Sequence, residues 1–325
     1  MTPNPAWDVT YEVPALVPGG VHRVARVHRR LGGKGINAAR VLGTLGREAV
    51  AVIPGPDGIA DDALTLDVVP GLSAIRQTLV VQSADGTTTS LWEPGHPAAP
   101  ELAAALLARV IARLGARPAA ASVSASLSAS APGVSGIAPA GGLVIAGSLP
   151  PGLDPRLPAR LAEAALEAGV PAIVDTSGPA LAEAARVPGV VLAPNAAELA
   201  QLTGVSCDEP AAAIGAARDL LENGAGKRGP CAVVVTLGER GLAAATPGGT
   251  WHGRLPGPLA GNPTGAGDAA VAALIVGLVA GEGWPGIVRD AVAVSAAAVL
   301  SPVAGEISPA DYTALRARVH VSEVP

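Results

Sequence analysis

The sequence predicts an α/β fold, because short apolar segments alternate with longer segments rich in Ala, Leu, Glu and Arg. The apolar segments are mostly β-branched, as in strands buried on both faces of a sheet. They lie at 50–53, 143–146, 172–175, 190–192 and 232–236. The segments of helical length lie at 35–46, 98–115, 155–169, 179–186, 196–203, 210–223 and 265–281. This alternation indicates a parallel sheet with helices on both sides.

The composition favours one globular unit. The 325 residues are 49% hydrophobic and 15% charged, and the net charge of −5 is not that of a nucleic-acid-binding protein. The N-terminus has no basic start followed by an apolar run, and the apolar run at 269–280 is shorter than the roughly 18–20 residues that cross a bilayer. We therefore expect a single domain over 1–325, cytoplasmic, with no nucleic-acid or membrane partner.

Three regions interrupt the strand–helix alternation. Residues 8–30 and 75–93 alternate polar with apolar residues, and the Asp-Gly pair at 85–86 suggests a hairpin. These two regions predict a small, half-exposed antiparallel sheet apart from the main one. Residues 115–142, rich in Ala, Ser, Pro and Gly, predict a flexible insertion.

Two motifs near predicted strand ends could bind a ligand. In LGGKGINAARVLGTLG (31–46), Gly33 allows close backbone approach, Lys34 adds positive charge at a helix start, and Asn37 can bond a sugar hydroxyl. The alternative is a tight strand-to-helix turn. Ser148 of AGSLPPGL follows a strand at its carboxyl end, where open α/β sheets bind ligands, although a simple loop explains it equally.

Two further motifs also have purely structural alternatives. In APNAAEL (193–199), Asn195 and Glu198 face the same side of a first helical turn, which suits a Mg²⁺ hydration shell or phosphate contacts. The alternative is a capping box. In VVVTLGERGLAAAT (233–246), Thr236 and Gly238 could approach a nucleotide, or the segment could be a plain hairpin.

The segment TGAGDAA (264–270) carries the sharpest chemical indication. It is not a P-loop, which needs Lys and Ser/Thr after its second Gly, whereas here Asp268 follows Gly267. The N–H groups of Gly265, Ala266 and Gly267 can form an anion-binding nest at a helix start. Asp268 can act there as a base toward a hydroxyl. An anion site beside a carboxylate predicts phosphoryl transfer to an alcohol.

Taken together, six motifs resemble the ribokinase-like (PfkB) sugar kinases in order and approximate spacing. They are GGKGINAARVLGTLG, AGSLPPG, VDTSGPAL, LAPNAAEL, TLGERG and PTGAGDAAVAAL. Within that family the chain looks like the branch of 1-phosphofructokinase, tagatose-6-phosphate kinase and the minor 6-phosphofructokinase. The resemblance implies a three-layer α/β/α sandwich with a mostly parallel central sheet and a small β-sheet lid, often a dimer interface. It also implies ATP and Mg²⁺.

The resemblance also implies roles for individual residues. Asp268 would be the catalytic base, and Gly265, Ala266 and Gly267 would hold the γ-phosphate. The residues implied for the sugar phosphate are Asp8, Arg23, Gly33, Lys34, Asn37, Arg76 and Ser148. Those implied for ATP are Asn195, Glu198, Thr236, Gly238 and Gly241, with Glu198 also serving Mg²⁺ through water. The branch usually has Lys before its Pro-Asn pair, where this chain has Ala193.

We therefore expect ATP-dependent phosphorylation of a sugar phosphate. The first choice of substrate is fructose 1-phosphate, which would give fructose 1,6-bisphosphate. We also expect a homodimer formed through the lid. Tagatose 6-phosphate and fructose 6-phosphate are alternatives within the branch. An unphosphorylated sugar or nucleoside is a further alternative, against which Arg76 and Lys34 argue. A catalytically weak, sugar-phosphate-binding regulatory protein is a third, motivated by Ala193 and opposed by the intact GAGD sequence.

Overall fold

The structure, a computed structural model, describes residues 1–115, 141–224 and 229–324. Within these ranges the strands are β1 Ala6–Val13, β2 Arg26–Gly32, β3 Val50–Pro54, β4 Thr65–Val69, β5 Arg76–Ser83, β6 Thr88–Trp92, β7 Leu143–Ala146, β8 Ala172–Asp175, β9 Val191–Leu192, β10 Ala232–Thr236, β11 Leu242–Thr246, β12 Gly249–Arg254 and β13 His320–Glu323. The helices are α1 Lys34–Thr44, α2 Leu102–Leu114, α3 Leu157–Glu167, α4 Gly178–Ala184, α5 Ala196–Thr203, α6 Pro210–Gly224, α7 Ala266–Ala280, α8 Trp284–Val299 and α9 Pro309–Arg316.

The central sheet has seven strands in the order β13-β12-β11-β10-β9-β8-β7. Strands β7 to β10 run parallel, and β11 to β13 extend the sheet antiparallel. One apolar core packs α2 to α6 against one face, and a second packs α1, α7, α8 and α9 against the other. This confirms the predicted three-layer α/β/α arrangement, which places helix starts along the carboxyl edge of the parallel strands.

A separate sheet of β1, β2, β5 and β6, called the lid below, has the order β2-β1-β5-β6. The hairpin at 85–86 is present: the Ser83 N–H donates to the Thr87 carbonyl at 2.9 Å, and Gly86 has φ 88°. The prediction of an all-antiparallel sheet is wrong, because β1 and β5 pair in parallel. The chain leaves the lid after β2 and passes through α1, β3 and β4 before it returns.

Strand β3, predicted as part of the main sheet, instead pairs in parallel with β4 in a two-stranded sheet. The first two residues connect this pair to the central sheet. The Thr2 N–H donates to the Val52 carbonyl at 3.0 Å, and the Met1 carbonyl accepts from the Ala146 N–H at 3.1 Å. The stretch 54–75 thus contains a strand, and no helix is described there.

Several elements were not predicted from the sequence. They are β4, β12, β13, α8 and α9. Residues 116–140, which make up nearly all of the predicted insertion, lie outside the described residues. Within the described ranges, every helix is too short or too polar to cross a lipid bilayer.

Candidate active site

Four polar residues lie where adjacent parallel strands end. Ser148 follows β7, Asp175 ends β8, Asn195 follows β9 and Thr236 ends β10. Neighbouring parallel strands present their carboxyl ends at one edge of the sheet, so these residues lie side by side. Asn195 and Thr236 are paired by an isolated β-bridge. The fold therefore gathers three of the predicted site residues, with Asp175, along one edge.

Asp268 lies in the first turn of α7, a helix that is buried on most sides. Its carboxylate is only 7% exposed and accepts a 2.9 Å hydrogen bond from Asn37 Nδ2. Burial raises the pKa of Asp268 to about 7. The positive charge of Lys34 and the hydrogen bond from Asn37 oppose this shift, and the negative charges of Asp175 and Asp8 add to it. A carboxylate that titrates near neutral pH is suited to accept a proton from an alcohol.

Lys34 is surrounded by carboxylates. Its Nζ lies 2.6 Å from Asp175 Oδ1 and 3.7 Å from Glu198 Oε1. Burial alone would lower the pKa of Lys34, but Asp175, Glu198 and Asp268 outweigh it and the net shift is upward. The structure therefore places this cation, which was predicted for the sugar phosphate, beside Asp175 and Glu198, and Glu198 was predicted for ATP.

Asn195 and Glu198 form the capping box that was the structural alternative. Asn195 Oδ1 accepts from the Glu198 N–H, and Glu198 Oε2 accepts from the Asn195 N–H, both at 2.9 Å. Burial raises the pKa of Glu198, with Lys34 opposing. The capping box fixes the Glu198 side chain so that its other oxygen, Oε1, faces Lys34. Capping and ligand binding are thus compatible at these two residues.

A cavity of about 530 Å³ adjoins the start of α7. The predicted site residues that line it are Asn195, Thr236, Gly238, Gly241, Ala266 and Gly267. Its apolar wall includes Leu242, Leu255 and Val292. Its volume lies within the range of small-ligand sites, about 300–1,000 Å³. A larger cavity of about 1040 Å³ lies elsewhere, between β3 and β7, and contains none of the predicted site residues.

The start of α7 depends on glycine. Gly265 has φ 82°, and a Cβ there would lie 2.7 Å from the Cβ of Ala304. A Cβ on Gly267, by contrast, would meet no atom within 4 Å. The Ala266 N–H donates to the Pro263 carbonyl in a 3.2 Å bond. That N–H group of the predicted nest is therefore already engaged. The other N–H groups of a first helical turn lack intrahelical acceptors, so the open space at Gly267 suits an anion.

Glycine before α1 also leaves room for the Asp8 carboxylate and for the N-terminal segment. A Cβ on Gly32 would lie 2.0 Å from Asp8 Oδ2, and one on Gly33 would lie 3.0 Å from Thr2 Cγ2. The Asp8 carboxylate accepts from Thr78 Oγ1 at 2.5 Å and from Asn37 Nδ2 at 3.4 Å. One amide group therefore contacts both the lid carboxylate and Asp268.

The residues predicted for the substrate phosphate are only partly brought together. Arg76 Nη1 donates to the Glu93 carbonyl at 2.7 Å. Asn4 Nδ2 contacts the next carbonyl, that of Pro94, at 3.0 Å and Ser148 Oγ at 3.3 Å. Asn4 thus connects the Arg76 side of the lid with Ser148. Arg23, however, lies exposed in the loop after β1 and makes no hydrogen bond or ion pair with any residue the structure describes.

Sequence reasoning gave no role to several residues that border this site. They are Asn4, Arg30, Thr78, Asp175 and Glu306. Asp175 had a detectable signal, since it ends a predicted strand inside the VDTSG motif. Glu306 had no such signal in the sequence, because it lies in the loop after α8. It reaches the lid only in the folded chain, where Arg30 Nη1 donates a hydrogen bond to it at 2.6 Å.

Asp268→Asn is expected to stabilise the protein above pH 7. The pKa of Asp268 rises from an ordinary 3.8 to about 7, so wild-type stability falls as pH rises through that range. At about 1.4 kcal/mol per pKa unit, the gain in free energy of unfolding is on the order of 2–4 kcal/mol at pH 8. Denaturant unfolding at pH 5.5 and 8 measures it, with exposed Asp57→Asn as control. An equal or smaller gain at pH 8 than at pH 5.5 would contradict the assignment.

Comparison with known proteins identifies the family. Residues 124–311 match the pfkB family of carbohydrate kinases. The chain is 30% identical over 312 residues to the ATP-dependent 6-phosphofructokinase isozyme 2 of Escherichia coli strain K12, covering 93% of this chain and 92% of that protein.

Solved structures share the whole fold. Phosphofructokinase-2 from Escherichia coli in complex with fructose-6-phosphate aligns with TM-score 0.77 and 26% identity over 97% of this chain and 96% of that one. A possible 1-phosphofructokinase from Thermotoga maritima shares the fold with TM-score 0.81 and 21% identity, covering 100% of this chain and 98% of that one. With its motifs, its three-layer sandwich and its separate lid, this chain belongs to the PfkB family of carbohydrate kinases.

Proposed function

We propose that this kinase transfers the γ-phosphoryl group of ATP to a hydroxyl of a ketohexose phosphate, giving fructose 1,6-bisphosphate. The observation that carries the proposal is the buried Asp268, whose pKa is raised to about 7. It lies in the first turn of α7, within hydrogen-bonding distance of the amide that also contacts the lid. Ala266 and Gly267 of the same turn line a cavity of about 530 Å³.

In this proposal the sugar hydroxyl lies against Asp268, which takes its proton as the oxygen attacks the γ-phosphorus. The new bond joins the acceptor oxygen to phosphorus, and the bond to the bridging oxygen of ADP breaks. The N–H groups at the start of α7 favour the negative charge that develops on the transferred group. Asn37 orients Asp268, and Lys34 neutralises charge between the nucleotide and Asp268. The lid covers the sugar and excludes water.

The donor set fits a magnesium ion held mainly by ATP. Among residues 1–115, 141–224 and 229–324, no three His, Cys, Asp or Glu side chains lie close enough together to hold a metal. Glu198, oriented by the capping box, is the carboxylate we assign to Mg²⁺, through water. When bound, Mg²⁺ would neutralise the phosphate oxygens of ATP.

We infer that the preferred sugar phosphate is fructose 6-phosphate, rather than the fructose 1-phosphate expected from the sequence. Support comes from the relative at 30% identity, which is named a 6-phosphofructokinase, and from the related structure in complex with fructose-6-phosphate. Fructose 1-phosphate remains the second candidate, because the sequence motifs resemble the branch that includes 1-phosphofructokinase. Phosphorylation of either substrate at its free terminal hydroxyl gives the same bisphosphate.

Asp268→Asn is expected to lower kcat by a factor of about 10²–10⁴, which is the usual contribution of a general base. The affinity for ATP should stay within about twofold of wild type, because the substitution removes only the proton acceptor. Wild-type kcat/KM should fall about tenfold per pH unit below pH 7, because protonated Asp268 cannot accept a proton. A coupled ADP-release assay and nucleotide titration measure both, with Asp57→Asn as control. Wild-type turnover by the Asp268 variant would refute the mechanism.

A panel of acceptors is expected to separate the substrate classes. Fructose 6-phosphate should give the highest kcat/KM, followed by fructose 1-phosphate and tagatose 6-phosphate, with fructose, ribose and nucleosides far below. The same ADP-release assay serves, and the product is identified by mass. Preference for an unphosphorylated sugar or nucleoside would overturn the assignment. Binding of sugar phosphate without ADP release would support a regulatory protein instead.

The lid is also the expected dimer interface. On the face opposite to Asp8 it exposes two large apolar side chains, Val27 and Leu91, and such side chains are more common at interfaces than on free surfaces. We expect a second copy of this chain to cover them. Sedimentation of the purified protein should show a dimer that Leu91→Asp converts to monomer, whereas a wild-type monomer at micromolar concentration would exclude it.

A further inference from the structure

Arg30 lies on the face of the lid that holds Asp8. In the β1–β2 pair, Arg30 is directly opposite Asp8, and in the β1–β5 pair Thr78 is opposite Asp8. Directly opposed residues of neighbouring strands point to the same face, and so do residues two apart on one strand. Arg76, two residues before Thr78, therefore shares this face. Two guanidinium groups thus flank the Asp8 carboxylate, one on β2 and one on β5.

Both guanidinium groups have a buried nitrogen that finds no acceptor. In the part of the chain that the structure describes, Arg30 Nη2 and Arg76 Nε are buried without a hydrogen-bond partner. Each arginine makes one hydrogen bond through its Nη1 atom. Arg30 Nη1 donates to Glu306 Oε1, and Arg76 Nη1 donates to the Glu93 carbonyl. A buried, unpaired guanidinium N–H is costly, and an anionic ligand would satisfy it.

We propose that Arg30 binds the phosphate that the sugar already carries, opposite Arg76, and that Glu306 holds Arg30 in position. This inference rests on the proposed function and adds a specificity-determining residue to it. Arginine binds phosphate through paired N–H groups, so two guanidinium groups on one face of the lid offer donors to a phosphate despite the Asp8 carboxylate between them. Arg30 takes the place that the sequence analysis gave to Arg23, which lies exposed in the loop after β1.

A purely structural role for Arg30 makes different predictions. Glu306 follows Gly305, where a Cβ would lie 3.0 Å from Asn37 Oδ1. The Arg30–Glu306 pair therefore connects the lid to the loop that lies against Asn37. If that connection were its whole role, removing either partner would have the same effect, and the effect would not depend on whether the sugar carries a phosphate.

The test compares Arg30→Gln with Arg29→Gln and Glu306→Gln. Arg29 is the matched control, because it is next in sequence, faces the opposite side of β2 and lies 4.8 Å from the ring centre of Trp7. We expect Arg30→Gln to raise KM for fructose 6-phosphate about tenfold to hundredfold, as loss of a charge-assisted hydrogen bond implies. KM for ATP and the weak activity on unphosphorylated fructose should change by less than about twofold.

The other variants complete the test. Arg29→Gln should leave all constants near wild type, and Glu306→Gln should raise KM for fructose 6-phosphate less than Arg30→Gln does. The inference would be overturned if Arg30→Gln left KM for fructose 6-phosphate unchanged. It would also be overturned if Arg30→Gln and Glu306→Gln had equal effects, and these were the same for phosphorylated and unphosphorylated sugars. If the wild type phosphorylates no sugar phosphate, the proposed function fails separately. Calorimetric binding of fructose 6-phosphate to wild type and Arg30→Gln then decides the role of Arg30.

Discussion

The site depends on a carboxylate buried at the start of an apolar helix. Helix α7 packs against α1 and α8 and against the sheet, so Asp268 is removed from water together with its neighbours. An isolated buried carboxylate is strongly disfavoured. Asn37 donates a hydrogen bond to it, and Lys34 on the same helix α1 supplies positive charge nearby. Asn37 and Lys34 of α1 thus offset part of the cost of burying this carboxylate.

That compensation requires close contacts between backbones, and glycine provides them. Gly305 leaves room for Asn37, and Gly265 leaves room for the loop that contains Ala304 and Gly305. On the lid side, Gly32 leaves room for Asp8. A larger residue at Gly32, Gly265 or Gly305 would therefore push these neighbouring segments apart. Gly32 of GGKG and Gly265 of TGAG are thus explained by packing, whereas Gly267 has open space in front of it.

Lysine and arginine side chains lie in different parts of the candidate site. The chain has only two lysines, and one of them, Lys34, lies among Asp175, Glu198 and Asp268. The arginines Arg30 and Arg76 lie on the lid. A lysine is a compact charge that can follow a moving phosphoryl group, whereas arginine holds a fixed phosphate through its planar N–H groups. Ala193 is buried and uncharged, and the lysine that lies beside Glu198 is Lys34.

The sequence by itself determined the alternation of strands and helices, the nature of the lid as a separate sheet, and the motifs that follow strand ends. These are local properties, encoded within a few residues by β-branched runs, by a glycine before a helix and by an Asp-Gly turn. Only the tertiary structure decided the parallel pairing of β1 with β5, the separate β3–β4 sheet, and the contacts of Lys34 with Asp175 and of Arg30 with Glu306. Those pairs are 141 and 276 residues apart. Their contact depends on packing of distant segments, which no local pattern in the sequence encodes.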